Sequence, residues 1–479
     1  MKKFNSISKL LIAQFFTIVI ILILIEVIGK IYAFYNPGHE TLYAVPDEFI
    51  GWRMTPNLEY THTGSNWYQN EFKVQIKHNS LGFRDHDRSI LKPNGIKRIA
   101  LLGDSSVSAR QVEFKNTPGQ KLESLLNQNL KGNGNKSYEV LNFGIDGIDG
   151  IGIGQSYLTY RKYANKYNPD YIFLFIFEGD IWRTISPQSA ITDSVDSRKI
   201  LNVRPIFNTR SKSDKFQSPL TVLNFSPFYK YLIDQKIQQS NSGNFTIPTE
   251  EEYLDLINSL KNLITKNKIT EISQVLNKLN LELYPPTKPT YDEFVFLQQD
   301  RIKNYFGEDR TRIREHKVFL MNLFKQIKLG LKNLNAKLHP ELIMKNELKM
   351  LIKTFTPRIT DNLFSGSINF PNYESAIYVN LKVLDVLNQN ITNSGTKFII
   401  VDASSHIIKH GRLPGYLLSE ILKKYCMVNG IGYIPLSDSL NESKKNGMET
   451  RWPIDGHLNE NGYRIFGEAM FEWIKNNQN

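Results

Sequence analysis

Five short apolar runs set the strongest constraint on what this chain can fold into. They lie at 98–102, 138–142, 171–177, 397–402 and 432–436, and each is rich in Val, Ile, Leu or Phe. Runs this short, without polar alternation, suit strands covered on both faces. Segments of helical periodicity fall between several of them, at 119–130, 154–165 and 374–389. Strands alternating with helices predict a three-layer α/β/α fold around a parallel sheet. The loops that follow parallel strands emerge at one edge, so residues far apart in sequence can meet there.

The interval 185–370 interrupts this rhythm. Apolar residues at three- and four-residue spacing predict helices at 251–264, 271–281 and 312–334, broken by Tyr284-Pro285-Pro286 and Lys288-Pro289. We read it as a mainly helical insertion or lid whose helices wall a substrate groove. Residues 36–97 are rich in Gly, Pro, Asn and aromatics and read as loops and short strands. The expected organisation is a cytoplasmic tip and anchor at 1–35, a lead-in at 36–97, and an α/β domain in two parts, 98–184 and 371–479, around the insertion at 185–370.

The anchor is the run LLIAQFFTIVIILILIEVI at 10–28. At a rise of about 1.5 Å per residue it spans a hydrocarbon core of roughly 30 Å. Lys2, Lys3 and Lys9 precede it; Lys30, His39, Glu40, Asp47 and Glu48 follow. The excess of lysine on the N-terminal side predicts a cytoplasmic N-terminus and an extracytoplasmic globular part, periplasmic or at the cell surface. A cleaved signal peptide is the rival reading, but its apolar region is normally shorter and ends in small residues. Here the run ends Ile28-Gly29-Lys30-Ile31-Tyr32, with no lipobox cysteine. The lipid bilayer is therefore an expected partner.

With 479 residues, 41% of them hydrophobic, the chain can bury a sizeable core. Its single cysteine, Cys426, excludes an internal disulfide or a cysteine-based metal site and reads as core packing. Net charge is +12, but the lysines are scattered and no nucleic-acid motif accompanies them, so no nucleic acid is expected as a partner.

Chemistry enters through two distant segments. Gly103-Asp104-Ser105-Ser106 follows the first apolar run, and Asp455-Gly456-His457-Leu458-Asn459 lies near the other end of the chain. A serine hydroxyl is a weak nucleophile until a base takes its proton, and an imidazole held by a carboxylate is the usual base. Ser105 is the candidate nucleophile, with Ser106 an adjacent competitor. His457 is the candidate base, and Asp455 the group that orients it. The pattern is not the Gly-x-Ser-x-Gly elbow of α/β-hydrolases.

Together with Asn79-Ser80-Leu81-Gly82-Phe83-Arg84-Asp85, the 141–147 segment Leu-Asn-Phe-Gly-Ile-Asp-Gly and Glu178-Gly179-Asp180, these segments resemble the SGNH/GDSL hydrolase superfamily. The resemblance covers roughly 98–180 and 370–475, with a weaker lead-in at 79–97. It implies an SGNH-like, flavodoxin-like sheet, and an oxyanion hole built from the Ser105 N–H and Gly147, with Gly144 as the alternative glycine. The family's third block carries an Asn before an Asp. Here Gly179 falls where the Asn belongs and Asp180 matches the Asp, so Asp104, Gly179 and Asp180 are supporting candidates only. Asp455-x-His457 stands where many members have Asp-x-x-His.

What the resemblance implies is a membrane-anchored, extracytoplasmic serine esterase or O-acyltransferase. It would act through an acyl-Ser105 intermediate on acyl esters of a cell-surface or secreted polysaccharide, and a transferase would need a membrane acyl donor as partner. No cofactor is expected. No metal is expected either: His406 and His410 have helical spacing, but Ile407-Ile408-Lys409 between them offers no zinc-protease acid. Because the third-block Asn is missing, the alternative is a catalytically weak or inactive carbohydrate-binding or assembly protein.

Overall fold

The computed structural model describes residues 2–64, 71–130, 137–147, 150–186, 188–192, 199–211, 249, 251, 255, 269–308, 310–314, 319–339, 341–342, 344–345, 358–360, 368–370, 373–404 and 415–477. The chain opens with a long helix, α1 (Lys2–Tyr35). Its segment Lys9–Tyr35 is long and apolar enough to cross a membrane. Then come β1 (Ile96–Gly103), α2 (Pro118–Asn129), β2 (Ser137–Gly144), α3 (Ile153–Lys162) and β3 (Tyr171–Ile176). The described part of 185–370 contributes α4 (Lys288–Arg301) and α5 (Phe319–Leu338). The chain ends with α6 (Tyr373–Thr392), β4 (Lys397–Asp402), α7 (Gly415–Asn429), β5 (Gly432–Ile434), α8 (Leu436–Lys445) and α9 (Glu460–Asn476).

The five strands form one parallel sheet in the order β2-β1-β3-β4-β5. This is a common order of doubly wound sheets, with its switch point between β1 and β3. Period-two alternation sends the apolar residues of the central strands to both faces of the sheet. In β1, Ala100 and Leu102 enter one core while Ile99 and Leu101 enter the other. In β3, Ile172 and Leu174 separate from Phe173 and Phe175 in the same way, as Phe398 and Ile400 do from Ile399 and Val401 in β4. The first core is closed by α3, α6 and α7, including Cys426, and the second by α2, α8 and α9. Each side chain so buried stabilises the fold by about 1.5–3 kcal/mol relative to exposure.

The helix ends are specified locally. Thr117 caps α2, its hydroxyl accepting the Gln120 N–H, and Pro118 occupies the first turn. Asn459 caps α9 through the Gly462 N–H at 3.1 Å. Gly467 lets α9 approach α2, since a Cβ there would lie 2.6 Å from Lys121 Cβ.

Within 185–370 the described residues hold strands as well as helices. The helix expected at 271–281 ends at Lys278, and Leu279–Tyr284 instead pairs antiparallel with Ile206–Ser211. The helix expected from 312 begins at Phe319, because Thr311–Arg314 pairs with Gly38–Thr41 of the lead-in. In both places a cross-strand partner overrides local helical spacing, and no single-segment pattern carries that information. Most of 251–264, and His406 and His410, lie outside the described residues.

Candidate active site

The register of the sheet brings the two glycine-ended strands together. Gly103 at the end of β1 is paired with Gly144 at the end of β2. Gly144 tolerates no side chain, since a Cβ would stand 2.4 Å from Ser108 N. Ser105–Ser108 forms a single helical turn after β1, capped by the Asp104 carboxylate through the Ser106 N–H at 2.9 Å. Ala109 closes the turn in the left-handed region at φ 53, an uncommon conformation for a residue with a Cβ. The lead-in motif holds it there. Arg84, fully buried, donates to the carbonyls of Ala109 and, at 2.6 Å, Val112. Asp85 accepts the Asn142 N–H at 3.0 Å, and the Asn142 amide donates to Val107 O at 2.9 Å.

The second segment arrives as a tight loop between α8 and α9. Its turn is closed by Gly456 N–H to Trp452 O at 2.9 Å and Trp452 N–H to His457 O at 2.8 Å. Gly456 has φ +82, a conformation that favours glycine. From outside the loop, Glu71 accepts the N–H groups of Ile454 and Asp455 at 2.7 and 2.9 Å. Trp452 packs on Phe72 beside it, with ring centroids 5.3 Å apart.

This loop delivers His457 Nε2 to 3.1 Å from Ser105 Oγ. On the other side of the ring, Nδ1 lies 2.6 Å from Asp455 Oδ1. The same oxygen accepts the His457 N–H at 3.2 Å. Ser106 is not the partner of the imidazole, and its N–H is engaged with Asp104. Burial opposes a charge on His457, but the hydrogen bond and charge of Asp455, helped by Asp146 and Asp104, more than offset it, and the imidazole pKa lies above its ordinary value. For Asp455, burial pushes the carboxyl up while the hydrogen bonds and charge of His457 pull it down, and the net shift is downward.

The remaining candidates separate. Among the described residues, the Ser105 N–H takes no acceptor. Gly147 lines the same cavity as His457 and Asp455, but its N–H donates to Asp146 Oδ1 at 2.7 Å. The Gly144 N–H is likewise engaged, by Asn142 Oδ1 at 2.9 Å. Gly179 brings no side chain, and a Cβ there would meet the Phe177 ring at 2.7 Å. Asp180 turns back to accept the Phe177 N–H at 3.1 Å. Arg183 then bridges Asp180 at 3.2 Å and Asp104 at 3.1 Å. Burial, followed by the nearby Asp104 charge, drives the Asp180 pKa well up despite Arg183. Asp104 and Asp180 thus brace the Ser105–Ser108 turn through Arg183.

Arg110 carries no motif signal, yet it is central. It forms an ion pair with Asp146, donates to the Tyr43 hydroxyl at 3.1 Å, and lies 3.8 Å over the Tyr43 ring. Burial disfavours its charge, but Asp146 and the tyrosines hold it firmly protonated. Beside this pair opens a cavity of about 250 Å³. Trp52 and Tyr43 of the lead-in, Gly147, and Phe294, Gln298 and Arg301 of α4 line it together with Asp455 and His457. One helix of the 185–370 interval therefore reaches the candidate site. Among the described residues, no group of three His, Cys, Asp or Glu side chains is arranged to hold a metal ion.

No known protein-family model matches the chain, and no curated protein is detectably similar to it.

Proposed function

We propose that the chain is a membrane-anchored SGNH-type serine esterase or O-acyltransferase, its globular part extracytoplasmic. The observation that carries the reading is the relay from Ser105 Oγ through the His457 ring to Asp455, at 3.1 and 2.6 Å. His457 takes the Ser105 proton as Oγ attacks an ester carbonyl, then returns it to the leaving alcohol. Water releases the acyl group as an acid; a sugar hydroxyl accepts it as a new ester. The sheet order and the two-sided helix layers agree with the SGNH-like fold that the motifs suggest. A cavity of about 250 Å³ beside His457 and Asp455 gives an acyl or sugar group room to approach the relay. Acylated polysaccharide outside the cytoplasm is the substrate class most consistent with the anchor.

A second reading has its own support. The third-block Asn is absent, and the Gly147 N–H is bonded to Asp146. Losing one oxyanion donor typically costs about 10²–10³ in rate, so a weakly active or inactive carbohydrate-binding or assembly protein is the alternative. p-Nitrophenyl esters of graded acyl length separate the two. The enzyme reading expects hydrolysis, fastest for acetyl, that Ser105→Ala reduces to background. Equal rates for both proteins at every length favour the binding reading.

A further inference from the structure

The helix α5 carries an apolar face that no described part of the chain covers. Phe324, Ile327, Leu331, Leu334 and Leu338 are all exposed. Their spacing of three and four residues puts them within an arc of about 80° on an α-helix. The helix contains four lysines, Lys325, Lys328, Lys332 and Lys337, and no Asp or Glu. An apolar stripe with basic residues and no acids is the composition of a helix that lies in a membrane interface.

Its position in the fold names the membrane. At its start the Leu320 N–H donates to Glu26 Oε2 of α1 at 3.0 Å, and Glu26 is also 3.6 Å from Lys30. On both sides of this contact α1 is mostly apolar and exposed, as at Phe15, Ile20, Leu24, Ile28 and Ile31, while Gly29 and Ala33 just beyond it are buried. The start of α5 thus meets α1 near the C-terminal end of its apolar run, and each helix carries an exposed apolar surface.

We propose that α5 lies along the bilayer surface at the foot of α1, its apolar stripe in the acyl-chain boundary and its basic, acid-free composition suited to anionic headgroups. The inference rests on α1 crossing the membrane and is independent of the serine chemistry. A second copy of the chain also fits a three-four stripe, but it would set lysine-bearing, acid-free helices against each other, whereas anionic lipid complements them. In this pose the candidate site is held near the membrane. His39, Glu40 and Thr41 line the cavity, and Thr41 is six residues beyond Tyr35, a reach of at most about 20 Å.

The test uses the full chain in vesicles of phosphatidylcholine with or without phosphatidylglycerol. An environment-sensitive fluorophore is placed at Leu331→Cys, at Ile327→Cys in case the first variant misfolds, and at the exposed control Leu91→Cys. The unsubstituted chain measures labelling of the buried Cys426. The expected result is that the α5 labels are quenched by spin-labelled lipids and shielded from iodide, more so with phosphatidylglycerol, while the Leu91 label behaves oppositely. α5 labels as open to iodide as the Leu91 label would overturn the proposal. So would α5 labels shielded from iodide but untouched by lipid quenchers, which would mean that a second copy covers the stripe.

Discussion

The Glu71 carboxylate accepts the backbone N–H of Asp455 at 2.9 Å across 384 residues of chain. With the Ile454 N–H on its other oxygen, it fixes the loop that aims His457 at Ser105. A small misplacement of a catalytic group can cost up to about 10²-fold in rate. Glu71→Ala is therefore expected to lower kcat on a short ester by roughly 10–10²-fold while the melting temperature stays nearly constant. Glu71→Gln, which keeps one acceptor oxygen, is expected to fall between. Steady-state kinetics beside thermal denaturation check this, and an unchanged kcat in Glu71→Ala removes the positioning role.

The pH dependence follows from the Asp455–His457 pair. A general base must be neutral to act, so the acid limb of kcat/KM is expected above the ordinary histidine value of 6.5, because Asp455 raises the imidazole pKa despite burial. Asp455→Asn removes that charge, so the limb moves to lower pH while the rate falls by about 10²–10⁴. The same two shifts also make stability depend on pH. The raised His457 pKa stabilises the fold below the unfolded value and is lost as pH rises through the folded one. The lowered Asp455 pKa stabilises above 3.8 and is lost as pH falls. The pair's contribution is thus largest between these ranges, which denaturation at graded pH measures.

Arg110 and Asp146 test how buried charge supports the cavity. Their side chains are largely buried against each other. Removing one partner leaves the other charge uncompensated, at a cost of about 3–5 kcal/mol. Arg110→Ala and Asp146→Ala are each expected to destabilise by that order. The double variant should lose clearly less than the sum. Strict additivity in urea unfolding would show that the pair is not energetically coupled.

Gly147 tests the proposed oxyanion geometry. A Cβ there would stand 2.3 Å from Trp52 Nε1, so Gly147→Ala must displace the indole or the 146–147 backbone. Through that displacement, ester hydrolysis is expected to drop by up to about 10²-fold, with binding of a product acid less affected. Full activity in this variant would take Gly147 out of the oxyanion hole.

Much of the sheet was legible because β1, β3 and β4 are buried on both faces, so local apolar runs alone mark them. The Ser105–His457 pairing was legible from motif chemistry, since each half carries its own turn signature. Arg110 and Glu71 were not. Neither sits in a motif; Arg110 meets Asp146 through the register of β1 on β2, and Glu71 is placed by the lead-in strand pair Glu59–Thr63 and Lys73–Lys77. The strand at Leu279–Tyr284 was hidden for a related reason: its partner lies at Ile206–Ser211, far outside any local window. Gly179 was readable as a departure from the family's third block, but the turning of Asp180 toward Phe177 and Arg183 required the fold.

Ser105 is proposed as a nucleophile activated by His457. Treatment with a fluorophosphonate, followed by peptide mass spectrometry, tests it without knowledge of the natural substrate. The expected result is a stoichiometric adduct on Ser105, absent in Ser105→Ala and formed far more slowly in His457→Ala. No adduct in the folded chain, or an adduct on Ser106 that persists in Ser105→Ala, would contradict it.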